Sequence, residues 1–104
     1  MARLIYSGQA LKDLERLADF LLDSDPASAN VTVGLIEDAI LVLKRHPLIG
    51  RPVESGMREL VISRGRGGYL ALYSYEAAID IAFILAIRHQ REAGYSDPEG
   101  GALL

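Results

Sequence analysis

The sequence has no cysteine among its 104 residues, which excludes a disulfide framework, thiol chemistry and a cysteine-based metal site. No apolar run approaches the roughly 20 residues needed to span a bilayer, and no apolar signal core follows the N-terminus. The two histidines, His46 and His89, are too far apart for a recognisable metal spacing. We therefore expect a cytoplasmic protein with no membrane contact, no metal and no cofactor.

An overall excess of positive charge is also lacking, since the formal net charge is −3. A protein that binds nucleic acid through its whole surface would be basic. The charges are instead segregated: residues 44–66 carry six basic and two acidic side chains, whereas residues 1–43 carry three basic and seven acidic ones. The sequence therefore predicts at most a local basic patch and no sequence-specific DNA binding by this chain.

The spacing of apolar residues predicts two helices and four strands in the order β-α-α-β-β-β. We expect strands at residues 3–6, 57–63, 69–75 and 79–87, and helices at residues 10–23 and 25–46. The last strand is apolar on both faces, which is typical of a central strand. This pattern predicts an α+β domain over residues 1–95, an antiparallel sheet with a two-helix hairpin packed on one face, followed by a flexible tail at residues 96–104.

The helices carry more apolar surface than packing on one sheet face requires. The apolar arc of the second helix covers roughly 200°, and Phe20 stands among the charged residues of the first. An exposed apolar strip of this kind usually marks a protein contact. A homodimer face and a larger core than expected are the alternatives.

Five arginines lie on the predicted strands or near their ends, and we expect several of them to converge at one side of the sheet. They are Arg58, Arg64, Arg66, Arg88 and Arg91. Guanidinium groups bind phosphate bidentately, so such a rim suits a phosphate backbone. The alternative is solubility combined with ion pairs to nearby glutamates.

His89 and Tyr95 are the candidates for proton transfer. Metal-free RNA cleavage needs a base, an acid and cations that stabilise the charged intermediate, and histidine has a suitable ordinary pKa. We favour a structural role, in which His89 caps the last strand through a hydrogen bond and Tyr95 packs over the sheet. The reason is that this region has one histidine, no lysine and no clear second acid.

Taken together, the chain resembles the ParE/RelE superfamily of toxins from bacterial type II toxin–antitoxin (plasmid stabilization) systems. The likeness rests on segments in matching order, which together span residues 3 to about 95. They are Ala10-Leu11-Lys12-Asp13-Leu14, Pro47-Leu48-Ile49-Gly50-Arg51-Pro52, Met57-Arg58-Glu59-Leu60, Gly68-Tyr69-Leu70-Ala71-Leu72-Tyr73 and Ile84-Leu85-Ala86-Ile87-Arg88-His89-Gln90-Arg91.

The resemblance implies a small toxin that is neutralised in a hetero-oligomer by a cognate, ParD-like antitoxin whose flexible segment covers its helices and sheet. ParE-like members poison DNA gyrase, whereas RelE-like members cleave ribosome-bound mRNA with clustered basic residues and commonly a C-terminal tyrosine. The acidic net charge and the lack of a lysine-rich helix favour the ParE-like branch.

We therefore expect a gyrase inhibitor with no catalytic residues. The residues expected to contact the target are Arg58, Arg88, His89 and Arg91, and those expected to contact the antitoxin are Phe20, Leu21, Leu22, Leu35 and Val42. The alternative is a metal-independent endoribonuclease with His89 as base, Tyr95 as assisting acid, and Arg58 and Arg88 holding phosphate. A third hypothesis is a decayed toxin that binds its antitoxin and poisons nothing.

Overall fold

The computed structural model describes residues 1–63 and 68–95, so the predicted tail at residues 96–104 lies outside the described residues. The two helices are α1 (Gly8–Ser24) and α2 (Pro26–Leu41), and a 3-10 turn over Val42–Lys44 extends α2. The strands are β1 (Arg3–Tyr6), β2 (Arg51–Pro52), β3 (Arg58–Ile62), β4 (Tyr69–Glu76) and β5 (Ile81–His89).

The strands form one sheet in the order β1-β5-β4-β3-β2, and the α+β class is confirmed. The expectation of a wholly antiparallel sheet is wrong, because β1 pairs parallel with β5 while β2, β3, β4 and β5 pair antiparallel in turn. The connection from β1 to β5 contains both helices and three strands, and such a long connection permits parallel pairing where a tight turn does not. The predicted central position of the last strand is confirmed.

Both helices begin where local chemistry favours it. The Ser7 hydroxyl accepts a hydrogen bond from the backbone N–H of Ala10 (3.0 Å) and so caps α1. Pro26 occupies the first turn of α2, where its missing N–H costs nothing, although the Asp25 side chain makes no capping hydrogen bond. The core side of α2 is lined as its periodicity predicts by four buried side chains, which are Ala29, Ile36, Ile40 and Leu43.

The continuous helical stretch Pro26–Lys44 is, by length and composition alone, long and apolar enough to cross a membrane. The core helix of a soluble domain passes the same test. Ile36 and Ile40 of this stretch belong to the hydrophobic core formed with the sheet, which accounts for its apolar composition.

β5 starts at Ile81, two residues later than predicted, because Asp80 adopts a left-handed backbone conformation (φ 53°) in the preceding turn. Farther along, Leu72 pairs with Ala86 and Tyr73 pairs with Ile84, so β5 carries one extra residue, Leu85, in a bulge.

The first turns of α1 hold this bulge. The Ser7 hydroxyl donates to the Leu85 carbonyl (2.8 Å), and the buried Asp13 carboxylate accepts from the Ile87 N–H (2.8 Å). Because Ser7 caps α1 and Asp13 lies within it, α1 fixes the register of the last third of β5.

The sheet has two distinct faces. The face that packs on the helices, the helix face, carries Leu60, Ile62, Tyr69, Ala71, Tyr73, Ile84 and Ile87. Cross-strand partners share a face and neighbours in a strand alternate. The opposite face, the open face, therefore carries Glu59, Val61, Leu70, Leu72, Ala86 and Arg88.

Candidate functional site

The arginines predicted to converge are divided between the two faces of the sheet. Arg58 pairs with Tyr73 on the helix face, and Arg88 pairs with Leu70 on the open face. The expected single rim is therefore wrong for Arg58 and Arg88. Arg64 and Arg66 lie outside the described residues.

Arg58 secures the segment between α2 and β3. Its Nη1 donates to the carbonyl oxygens of Leu48 (3.0 Å) and Gly50 (2.8 Å). The side chain is half-buried beside the Tyr73 ring, whose hydroxyl binds the same segment. Arg58 thus holds two carbonyl oxygens of a short irregular loop.

Arg88 performs a similar task at the C-terminal turn. Its Nη1 donates to the Glu92 carbonyl (2.6 Å) and lies 3.4 Å from the carbonyl oxygens of His89 and Gln90. The guanidinium carbon lies 5.0 Å from the centre of the Tyr95 ring, a cation–π distance. Three carbonyls and one aromatic ring therefore converge on Arg88, which folds the residues after β5 back over the open face.

Tyr95 spans the open face from β5 to β3. While its ring lies beside Arg88 of β5, its hydroxyl donates to Glu59 Oε2 of β3 (2.6 Å), so the ring passes over β4 between them. The other carboxylate oxygen of Glu59 accepts from both Nε and Nη2 of Arg51, with Nε at 2.9 Å. The result is a chain of contacts from Arg51 through Glu59 and Tyr95 to Arg88.

The electrostatics of this chain keep the Tyr95 phenol protonated. Burial, the hydrogen bond to Glu59 and the negative charge of that carboxylate raise the pKa of Tyr95 far above its ordinary value, more than the nearby Arg88 lowers it. Burial opposes ionisation of Glu59, yet hydrogen bonds from Tyr95 and Arg51 and the charges of Arg51 and Arg88 hold its pKa below the ordinary value. A phenol held in this way is a poor proton donor to a substrate.

His89 lies on the other face, in a cleft between α1 and the end of β5. The cleft has a volume of about 660 Å³. Its lining residues are Arg16, Leu17, Phe20, Leu21, Tyr69, His89, Arg91 and Glu92. The His89 ring packs edge-on against Tyr69, with 5.1 Å between the ring centres.

The hydrogen bonds of His89 match the predicted strand-capping role. Nδ1 accepts from the backbone N–H of Arg91 (3.1 Å), and the backbone N–H of His89 donates to Glu92 Oε1 (2.8 Å). Acceptance at Nδ1 places the proton of a neutral ring on Nε2, so that nitrogen is a donor. Arg16 fixes the same turn through Glu92 Oε2 (2.7 Å).

His89 and Tyr95, the predicted base and acid, are therefore not brought together. His89 shares the helix face with Tyr69, its register partner, whereas the Tyr95 hydroxyl binds Glu59 on the open face. The sheet separates the two groups. Of the four residues predicted to contact the target, the cleft contains His89 and Arg91 only.

The predicted surplus of apolar surface on the helices is confirmed. Phe20 (68% exposed) and Leu21 line the cleft. Leu22, Leu35 (61% exposed) and Val42 are exposed outside it. These five side chains leave both helices only partly covered by the rest of the chain.

Asp13 and Glu59 are the buried charged groups that the sequence-based prediction missed. Asp13 follows Ala10 by three residues and precedes Leu17 by four, so it falls on the buried stripe of α1. This spacing could have predicted its burial from the sequence. Glu59 lies between the half-buried Arg58 and Leu60 in β3, and nothing local indicates that Tyr95 returns to it.

The fold and this division of polar groups define a small α+β protein with an uncovered helical hairpin and an apolar cleft at the end of its last strand. Residues 4–94 match the family described as the ParE toxin of type II toxin–antitoxin system, parDE. The chain therefore belongs to the ParE toxin family of type II toxin–antitoxin systems.

Individual relatives carry names from both branches of the superfamily. The chain is 34% identical over 84 residues to Toxin RelE3 of Caulobacter vibrioides, covering 81% of this chain and 89% of that protein. It superimposes on a chain of the chromosomal ParDE system from P. aeruginosa with a TM-score of 0.71 and 24% identity, covering 86% and 96% of the two chains. It also superimposes on the RelBE2 toxin–antitoxin complex from Mycobacterium tuberculosis (TM-score 0.58, 24% identity, 86% and 98% covered).

Proposed function

We propose that this chain is a ParE-like toxin of the cytoplasm that inhibits DNA gyrase, blocks replication and is neutralised by a ParD-like antitoxin. The separation of His89 from Tyr95 by the sheet carries this proposal. Metal-free RNA cleavage requires base, acid and cations around one phosphate. Here the phenol is bound to Glu59, Nδ1 of His89 accepts from a backbone N–H, and Arg58 and Arg88 occupy opposite faces.

The antitoxin docks on the helices and in the cleft. Phe20 and Leu21 offer an apolar floor, and the exposed Arg91 offers a cation at the rim. An extended or helical antitoxin segment with an apolar side chain beside a carboxylate matches this chemistry, since a partner segment usually inserts anchors into such a groove. The solved relatives, which include toxin–antitoxin complexes, support a hetero-oligomer of this kind.

A RelE-like endoribonuclease is the second candidate function, and the position of His89 favours it. The His89 ring lines an open cleft together with Arg16 and Arg91, so an RNA phosphate placed there would meet two guanidinium groups. The similarity to a protein named Toxin RelE3 is in accord with this candidate. In that case Tyr95 would have to leave Glu59 before it served as an acid.

Two assays run in parallel test the proposal. The purified chain is added to gyrase with relaxed plasmid and, separately, to translating ribosomes, each with and without antitoxin. Loss of supercoiling with intact mRNA supports gyrase inhibition. Codon-associated mRNA cuts that disappear in His89→Ala and persist in the control Asp38→Ala, an exposed position of α2 outside the cleft, would overturn it. No effect in either assay would identify a decayed toxin.

A further inference from the structure

The segment between α2 and β2 displays two adjacent aliphatic side chains to solvent. Leu48 is 58% exposed and Ile49 is 56% exposed. With His46, Pro47 and Tyr75 they line an open concavity of about 470 Å³. We name these five residues the connector patch.

The backbone beneath the connector patch is fixed by the core. The hydroxyl of the buried Tyr73 donates to the Pro47 carbonyl (2.8 Å) and accepts from the Gly50 N–H (2.8 Å). Arg58 holds the carbonyl oxygens of Leu48 and Gly50 from the other side. A side chain at position 50 has no room, since a Cβ there would lie 2.6 Å from the Tyr73 hydroxyl.

This anchoring distinguishes the patch from an ordinary surface loop. A loop whose carbonyls are held by a buried phenol and a guanidinium loses little backbone freedom when a partner binds. Preorganisation of this kind raises affinity by lowering the entropy cost of association. Leu48 and Ile49 are thus exposed apolar side chains on a fixed backbone, as the anchor residues of protein interfaces are.

The charge around the patch indicates the chemistry of its partner. Residues 44–63 carry four basic and two acidic side chains, and one of the two acids, Glu59, is already bound to Arg51 on the open face. Lys44 and Arg45 directly precede the patch and form no ion pair within residues 1–63 and 68–95. Asp80 accepts a hydrogen bond from the Tyr75 hydroxyl of the patch (2.6 Å).

The patch and the cleft lie at opposite ends of the sheet. Tyr75 of the patch pairs with Ala82 near the start of β5, whereas His89 of the cleft ends that strand. Seven residues of strand separate the two positions, or about 23 Å at about 3.3 Å per residue. A partner segment confined to the cleft therefore leaves the patch accessible.

We propose that the connector patch is the surface that grips the target protein, and that it takes an acidic segment bearing aliphatic side chains. The inference rests on the proposed function in one respect, namely that the target is gyrase. It also assigns Arg58 a role as a positioning residue for the patch, in place of a phosphate contact.

Binding of purified gyrase and of purified antitoxin to the immobilised chain tests this surface. The patch variant is Leu48→Ser/Ile49→Ser, a charge variant is Lys44→Glu/Arg45→Glu, and the control Leu11→Ser/Val31→Ser removes two equally exposed aliphatic side chains. We expect both test variants to bind gyrase at least about tenfold more weakly, as interface anchors do. The gyrase affinity of the control and the antitoxin affinity of the two test variants stay within about threefold of the wild type, a difference under 1 kcal/mol.

Growth arrest upon induced expression separates failure of the inference from failure of the proposed function. If the wild type binds gyrase and the patch variant binds it equally, the inference is overturned and the proposed function stands. If the wild type ignores gyrase but arrests growth, loss of arrest in the patch variant supports the inference for another target, and retained arrest overturns it. A wild type that neither binds gyrase nor arrests growth overturns both.

Discussion

Replacing Asp13 by alanine should destabilise the protein more than any other change of a charged residue in α1. The Asp13 carboxylate is 1% exposed and accepts from the Ile87 N–H beside the β5 bulge (2.8 Å). It also accepts from Gln9 Nε2 (2.9 Å) and lies 3.5 Å from Arg16 Nη2. The variant removes these contacts and leaves a buried N–H without a partner.

The size of the destabilisation depends mainly on the Ile87 N–H, which loses its hydrogen-bond acceptor. A buried N–H that loses its acceptor costs about 1–3 kcal/mol. The Arg16 side chain is 40% exposed, so solvent screening limits its ion pair to a fraction of about 1 kcal/mol. We expect Asp13→Ala to lower the free energy of unfolding by about 2–3 kcal/mol, and Asp13→Asn, which keeps an acceptor oxygen, by about 1 kcal/mol.

Urea unfolding followed by far-ultraviolet circular dichroism measures both values. Asp19→Ala is the control, since Asp19 lies on the exposed side of the same helix, and such surface changes stay within about 0.5 kcal/mol. Equal unfolding free energies for Asp13→Ala and Asp19→Ala would refute the claim that α1 holds the bulge.

Three further predictions concern the tyrosines and the connector. Tyr95→Phe removes the hydroxyl that binds Glu59. Because Tyr95 is partly exposed, we expect urea unfolding to show a loss of only about 1 kcal/mol in the free energy of unfolding. An unchanged unfolding midpoint would contradict this prediction. Gly50→Ala forces a Cβ against Tyr73, so it should lower the free energy of unfolding by about 1–3 kcal/mol in the same measurement. A variant as stable as the wild type would show that the loop can move away from Tyr73 without loss of stability. Burial and the nearby Glu37 carboxylate raise the pKa of Tyr6 to about 12, above about 10 in the unfolded chain. The stability that comes from the protonated Tyr6 phenol is therefore fully present below about pH 10 and is lost as the pH rises toward 12. Thermal melts should show a steeper fall in melting temperature at alkaline pH for the wild type than for Tyr6→Phe.

The helices and most of the strands were predictable because their apolar period is a local property of the chain. β1 lies at the predicted positions, and Ile36, Ile40 and Leu43 are buried as their spacing requires. The parallel pairing of β1 and the two-residue β2 were not predictable in this way. Both depend on which strand edge is vacant after the rest of the sheet has formed.

The site was less predictable than the fold, because the sheet face on which a strand residue lies depends on the register of strand pairing. Arg58 lies on a predicted strand and Arg88 directly follows one, yet the β3–β4 and β4–β5 registers pair them with Tyr73 and Leu70, which face opposite sides. The bulge at Leu85 changes the register of β5 and has no periodic signal. Tyr95 reaches Glu59 through a turn whose backbone carbonyls accept hydrogen bonds from Arg88. This arrangement depends on tertiary contacts and leaves no local pattern in the sequence.

Gyrase inhibition by the double variant His89→Ala/Tyr95→Phe is the most direct measurement of whether the chain acts by binding alone. Both side chains would be indispensable to a nuclease, and neither belongs to the connector patch. We predict that the double variant suppresses supercoiling and arrests growth as the wild type does, with cellular mRNA left intact. Loss of growth arrest in this folded variant, accompanied by mRNA cleavage in the wild type alone, would contradict that prediction.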